Sequence, residues 1–225
     1  MNARGVALGM IVALTAGVLL PLPRAGAVDR AVLAAEGERW WTTSPDPANP
    51  VACATCHHEP AETRGWAASF PKFKPQPPPH ARVMTLYQAT AEAVRRHYRL
   101  ADPRPTARAI TAYLGMHGAG VPLSPGIAVG QPVFPARLRA LDASVARGRR
   151  LYARRCAACH ATPARVAVVR AFPRGCGHQA EALEDFLDRH ASPGGRLAWD
   201  SPAMADLVGF LVAERTGGLA KEEER

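Results

Sequence analysis

Two pentapeptides carry the most pointed chemistry in this chain: Cys53-Ala54-Thr55-Cys56-His57 and Cys156-Ala157-Ala158-Cys159-His160. They hold four of the five cysteines. C-x-x-C-H is the sequence through which c-type haem is attached. On one helical turn each thiol can add to one of the two vinyl groups of the porphyrin. The imidazole that follows then falls under the iron as an axial nitrogen. With five Cys and eight His in 225 residues, one such pentapeptide is expected by chance roughly 0.004 times. Two copies are therefore a pattern. Cys-x-x-Cys pairs also hold structural zinc, but zinc does not require a histidine directly after each pair. A thioredoxin-like redox site needs a βαβ setting that surrounds neither pair.

The elements that must position these motifs repeat. Ala31 to Trp41 reads as a helix with Gly37, Trp40 and Trp41; Leu141 to Arg155 is its counterpart, with Gly148, Leu151 and Tyr152. A Phe-Pro-basic tripeptide follows each motif, Phe70-Pro71-Lys72 and Phe172-Pro173-Arg174. Apolar periodicity then predicts a helix from about Arg82 to Arg99 and another from about Gln179 to His190. Both end in an Arg-His pair, Arg96-His97 and Arg189-His190. Loops at Ala101–Pro105 and Ser192–Pro202 lead to closing helices, one with Ile110, Tyr113 and Leu114, the other with Leu207, Phe210 and Leu211. The expected fold is all-α: two tandem units, 28–117 and 137–217, with a charged tail at 218–225. Residues 118–136 are too dense in Gly and Pro for a helix and read as a linker. A second Pro-rich stretch, Pro71 to Pro79, reads as a loop covering the edge of the first site.

Helix, C-x-x-C-H, loop, helix, loop, helix: this order resembles the class I cytochrome c family, in its diheme members made of two fused units. The resemblance covers essentially the whole chain after the N-terminal segment. It implies two covalently bound haem c groups, held by Cys53, Cys56, Cys156 and Cys159, with His57 and His160 as proximal iron ligands. It also implies that the first and last helices of each unit cross through a glycine and an aromatic, Gly37 with Tyr113 and Gly148 with Phe210. A bound haem would supply the apolar bulk that an aromatic content of 6% does not.

The distal ligands decide the redox character, since a thioether raises a haem potential and a second imidazole usually leaves it lower. After residue 27 the methionines are Met84, Met116 and Met204, and none occupies the same place in both halves. Met204 lies on the stripe of Leu207 and Leu211 and reads as core, though it stays a candidate. His97 and His190 sit at equivalent points of the repeat. Arg95-Arg96-His97-Tyr98 also resembles the Arg-Arg-Asn-Cys region of small phototroph cytochromes whose distal residue is that Asn. The expectation is bis-His coordination, with His97 and His190 distal and His80 a fallback at the first haem. Their competing role is that of a helix-terminal His suited to the dipole. Cys176, in Arg174-Gly175-Cys176-Gly177-His178, is the remaining thiol. It reads as a free cysteine, with ligation of the second haem as the alternative.

Asn2 to Arg4, the apolar run Gly5 to Leu20 and Ala25-Gly26-Ala27 form a secretory signal, with cleavage expected after Ala27 and the protein in the periplasm. If uncleaved, this segment would be a membrane anchor. A net charge of +9 and the cluster Arg147, Arg149, Arg150, Arg154 and Arg155 suggest a positive rim for acidic redox partners, periplasmic or membrane-bound. Export argues against nucleic acid. The expected function is a periplasmic carrier of single electrons rather than a catalyst. The alternative is a diheme oxidoreductase of sulfur compounds, similar to thiosulfate dehydrogenases, with a special ligand such as Cys176 at one haem.

Overall fold

The computed structural model describes residues 30–58, 60–75, 81–128, 130–163, 168–169, 172–173, 181–190 and 194–216. The signal segment 1–27, His80, Cys176 and the tail 218–225 lie outside them. The described chain is mostly helical. Its elements run α1 (Arg30–Thr42), α2 (Cys53–Cys56), α3 (Pro60–Arg64), α4 (Trp66–Ser69), β1 (Lys72–Lys74), β2 (Arg82–Met84), α5 (Leu86–Tyr98), α6 (Arg104–His117), α7 (Pro135–Arg155), β3 (Val168–Val169), β4 (Phe172–Pro173), α8 (Leu183–Arg189) and α9 (Pro202–Thr216). Two short antiparallel pairs, β1–β2 and β3–β4, depart from a purely helical reading. No described helix is long and apolar enough to cross a membrane.

Two helix pairs, α1 with α6 and α7 with α9, form the frame. Both cross where a side chain has no room. A Cβ on Gly37 would lie 2.0 Å from the Ala109 carbonyl oxygen, and one on Gly148 would lie 1.9 Å from that of Asp206. Small residues let the two backbones touch, and the ridges on either side then interlock. Around the first crossing Leu33, Ala34, Ala109 and Ala112 are buried together. Around the second, Leu141, Val145, Leu151, Tyr152, Leu207, Phe210 and Leu211 share a larger core.

The middle helix of the first half starts later than periodicity predicts. Arg82–Met84 is a strand, paired with Lys72–Lys74 in the register Phe73↔Val83. Thr85 then caps α5: its hydroxyl accepts from the Gln88 N–H and the Gln88 side chain receives the Thr85 N–H. This Thr-x-x-Gln box sets the true start, so Val83 and Met84 belong to the strand and not to a helical face. Arg99 ends α5 in the left-handed conformation, φ 55°. The corresponding helix of the second half is also shorter than predicted. Ala182 is extended (φ −64°, ψ 144°) and fully buried in the core of the first half, so α8 begins only at Leu183. The linker is shorter too, because Pro135 opens α7, where its fixed φ suits the first turn.

The two halves share a seam. Val83 from β2 belongs to the core of the second half. From α8, Asp185 accepts from the Tyr87 hydroxyl at 3.0 Å and pairs with Arg108 at 2.8 Å. The Gln88 amide donates to the Trp199 and Ser201 carbonyls, and the Trp199 ring lies 5.3 Å from Tyr87. The linker is pinned as well, since Ser124 donates its N–H to the Ala68 carbonyl and Gly126 to those of Ser69 and Pro71.

Candidate functional site

The first pentapeptide forms one short helix. Cys53 and Cys56 stand at its two ends, both as free thiols, with Cys53 half-buried and Cys56 exposed. His57 closes the turn through its N–H to the Cys53 carbonyl at 2.9 Å. Tyr98, the last residue of α5, reaches back to fix this turn. Its hydroxyl donates to the Trp40 carbonyl at 2.6 Å, accepts from the Cys53 N–H at 3.2 Å and lies 3.2 Å from the Cys53 sulfur. Burial pushes the Cys53 thiol up, and the Tyr98 hydroxyl only partly offsets this. Burial likewise raises Cys156, against a smaller opposite effect of Arg155. Both thiols therefore favour the protonated form, unlike the electropositive setting that makes a cysteine a ready thiolate.

A cavity of about 460 Å³ opens beside this turn, with Cys53, Cys56, His57 and His97 all on its wall. Trp41, Phe70, Leu86, Val94, Ile110 and Leu114 give it a largely apolar surface. The size and lining suit a sizeable, mainly apolar guest. The His57 ring packs edge-on to Trp66 at 4.7 Å and lies 6.1 Å from Trp41, and its Nδ1 is 4.0 Å from a carboxylate oxygen of Glu62. One wall comes from outside the first unit: Gly126, Gln131 and Phe134 of the linker and Arg137 of α7 line the same cavity. The stretch read as a covering loop contributes Lys72, Phe73, Lys74 and Pro75, the first three as strand β1.

At the second pentapeptide, Cys156 ends α7 half-buried, while Cys159 and His160 are exposed in the turn that follows. Cys159 and His160 each donate their N–H to the Cys156 carbonyl, at 3.1 and 2.8 Å. The Tyr152 hydroxyl holds the His160 carbonyl at 2.5 Å. His190, exposed just after α8, stands with its ring centroid 6.1 Å from that of His160, the planes inclined at 44°. Phe186 flanks it at 5.1 Å.

No protein-family profile and no curated protein matches this chain.

The structure thus brings His57 and His97 to one cavity and His160 next to His190. Among the described residues no methionine lines the first cavity, while Met204 sits in the core against which Cys156 packs. Met84 and Met204 are buried in packed surroundings, and Met116 is exposed at the end of α6. Among the described residues no three His, Cys, Asp or Glu side chains converge as a ready-made metal cage. The arginine cluster is partly neutralised. Arg147 binds Asp206 through two hydrogen bonds at 2.8 Å, Arg149 pairs with Glu214 at 3.1 Å, and Arg155 donates to the Gly195 carbonyl. Sequence reasoning missed Tyr98, Trp66, Glu62, Lys74 and Arg137. Of these, only Tyr98 carried a signal, as an aromatic directly after the candidate ligand His97.

Proposed function

We propose that this protein is a diheme c-type cytochrome, related to the class I family by two fused units, that carries single electrons in the periplasm. Cys53 and Cys56 would anchor one haem c and Cys156 and Cys159 the other, with His57 and His160 as proximal ligands and His97 and His190 as distal ones. When bound, the haem iron supplies the chemistry, cycling between ferric and ferrous states.

The observation that carries the reading is that His190 stands beside the second C-x-x-C-H turn, while His97 lines the cavity that the first turn opens on. A metal–imidazole bond of roughly 2 Å on each side, plus the half-width of each ring, puts two coaxial imidazole centroids about 6 Å apart. His160 and His190 stand 6.1 Å apart. In the first half, His57 and His97 line one cavity. The rest of the chain holds these groups still. Tyr98 fixes the first turn, Tyr152 the second, and Trp41 and Trp66 keep the His57 ring in place. Glu62 stands 4.0 Å from His57 Nδ1, on one side of the ring. Apolar walls line the first cavity, and exposed Arg150 and Arg154 next to the second turn offer docking charge for acidic partners.

The test is the denatured mass of the exported protein together with low-temperature EPR. Two tetrapyrroles per chain and two low-spin ferric signals are expected. His97→Ala and His190→Ala should each convert one signal to another spin state. A mass equal to the bare polypeptide ends the proposal, and unchanged signals in both variants end the bis-His assignment.

A further inference from the structure

The cavity of the first half carries more positive charge than the rest of the structure neutralises. Lys72 and Lys74 from β1 and Arg137 from α7 all line it. All three are half-buried. No carboxylate pairs with any of them among the described residues, whereas Arg108, Arg147, Arg149 and Arg196 each have an acidic partner within 3.1 Å. Among the described residues the only acid on the cavity wall is Glu62, and it stands beside His57. Lys72 donates to the Ser69 hydroxyl at 2.9 Å and lies over the Phe70 ring, a neutral setting. The three cations feel one another. Burial and then Lys74 bring Lys72 down to about 8, and burial and then Arg137 lower Lys74. Half-buried like charges without a counter-ion are costly, so such a cluster marks where an anion sits.

We propose that Lys72, Lys74 and Arg137 form a carboxylate-binding rim, in which a helix of the second half helps to hold the acidic edge of the group bound in the first. This rests on the haem reading above. A haem tethered at Cys53 and Cys56 would meet α2 with its vinyl edge and leave its two propionates for other walls of the cavity. The cations come from other elements, β1 and α7. Arg137 offers the planar fork that suits a carboxylate, and each lysine a point charge. The linker segment that places Arg137 is itself tied to Ala68, Ser69 and Pro71. The second half is then a structural part of the first haem site and not a separate bead on the chain.

The test uses the full-length holoprotein, with potentiometric titration of Lys72→Gln/Lys74→Gln/Arg137→Gln and of the milder Arg137→Gln. Cys53→Ser identifies which wave belongs to the first haem. Removing cations from the propionates favours the ferric state. The triple variant should shift the redox equilibrium of the first haem about tenfold toward ferric, 59 mV for a one-electron couple. The second haem should not move, Arg137→Gln should show part of the shift, and Arg137→Lys should restore most of it. Potentials unmoved in both Gln variants, with both tetrapyrroles present by mass, overturn the rim and leave the haem reading intact. Absence of tetrapyrrole in the wild-type protein overturns the haem reading itself. Inorganic phosphate added to the wild-type holoprotein should cause no saturable shift. If it does, and the triple variant abolishes the response, the cations serve a free oxyanion and the rim is refuted.

Discussion

The two halves use one crossing device in unequal surroundings. Gly37 on α1 meets Ala109, and Gly148 on α7 meets Asp206, each at a distance that leaves no space for a methyl group. The first crossing is lined mainly by alanines and one leucine, while the second is set in a core of large aliphatics and two aromatics. Beside the first lies an open apolar cavity, which a bound group would fill. The first half also holds a cluster around Tyr87, Tyr98 and Ile110 that takes in Ala182 of the second, and the core of the second takes in Val83 of the first, so each half leans on the other. A repeated sequence thus fixes the frame and leaves each copy free to distribute its stability differently.

The strongest way to break this comparison is to fill each crossing. Alanine at either glycine gains about 1 kcal/mol in helix propensity. It also drives a Cβ into a backbone carbonyl that cannot rotate away, an overpacking that costs a few kcal/mol and leaves little of a typical stability. We expect Gly37→Ala and Gly148→Ala each to lose about 3 kcal/mol or more net of propensity, measured as the urea midpoint of the holoprotein. Because the halves share a seam, Gly148→Ala should also weaken hydrogen-exchange protection in α5. Protection of α5 at wild-type level in that variant would show that the halves are energetically separate.

The seam offers a second, pH-dependent contrast. Glu184 is fully buried on α8, and among the described residues neither of its carboxyl oxygens has a hydrogen-bond partner within bonding geometry. Burial raises it to about 7, the nearby Thr85 hydroxyl opposing this and Asp185 adding to it. An acid whose folded pKa exceeds its unfolded one binds more protons in the native state. Its stabilising effect is complete below the unfolded value of about 4.5 and is lost as pH rises toward about 7. Urea titrations of the wild type should lose stability across that window with a slope approaching about 1.4 kcal/mol per pH unit from this group. Glu184→Gln should be flatter. Coincident pH slopes for the two proteins would remove Glu184 from the seam's energetics.

What could be read in advance was what local chemistry dictates. The C-x-x-C-H turns and the closing helices follow from motif and periodicity, and the Gly37 and Gly148 crossings from the resemblance; the helices cross at both glycines, with Phe210 beside Gly148 as expected but Ala109 rather than Tyr113 against Gly37. The strand Arg82–Met84 was hidden because Val83 and Met84 also fit a helical stripe. The Thr85–Gln88 box that separates strand from helix was visible in the sequence but outweighed by that stripe. Glu184 and Arg137 could not have been found this way. One is buried only because Ala182 docks into the other half, and the other reaches the first cavity only because the linker folds back on α4. Contacts between the copies are long-range, and periodicity within one copy says nothing of them.

The smallest contrast concerns how each half steadies its C-x-x-C-H turn. In the first, a phenol from the middle helix does it: Tyr98 is buried and its hydroxyl serves Trp40, Cys53 N–H and the Cys53 sulfur at once. In the second, a phenol from the first helix does it: Tyr152 makes one hydrogen bond to the carbonyl of His160, a residue open to water. Removing a hydroxyl costs most where the groups left behind cannot reach solvent. Tyr98→Phe should therefore cost about 2 kcal/mol, since the Trp40 carbonyl and the Cys53 N–H lose their partner together. Tyr152→Phe should cost about 1 kcal/mol or less, because water can replace the phenol at the His160 carbonyl. Calorimetry of the two variants ranks them directly. Equal losses would mean that the turns are held alike, and that the asymmetry between the halves lies in the cavity alone.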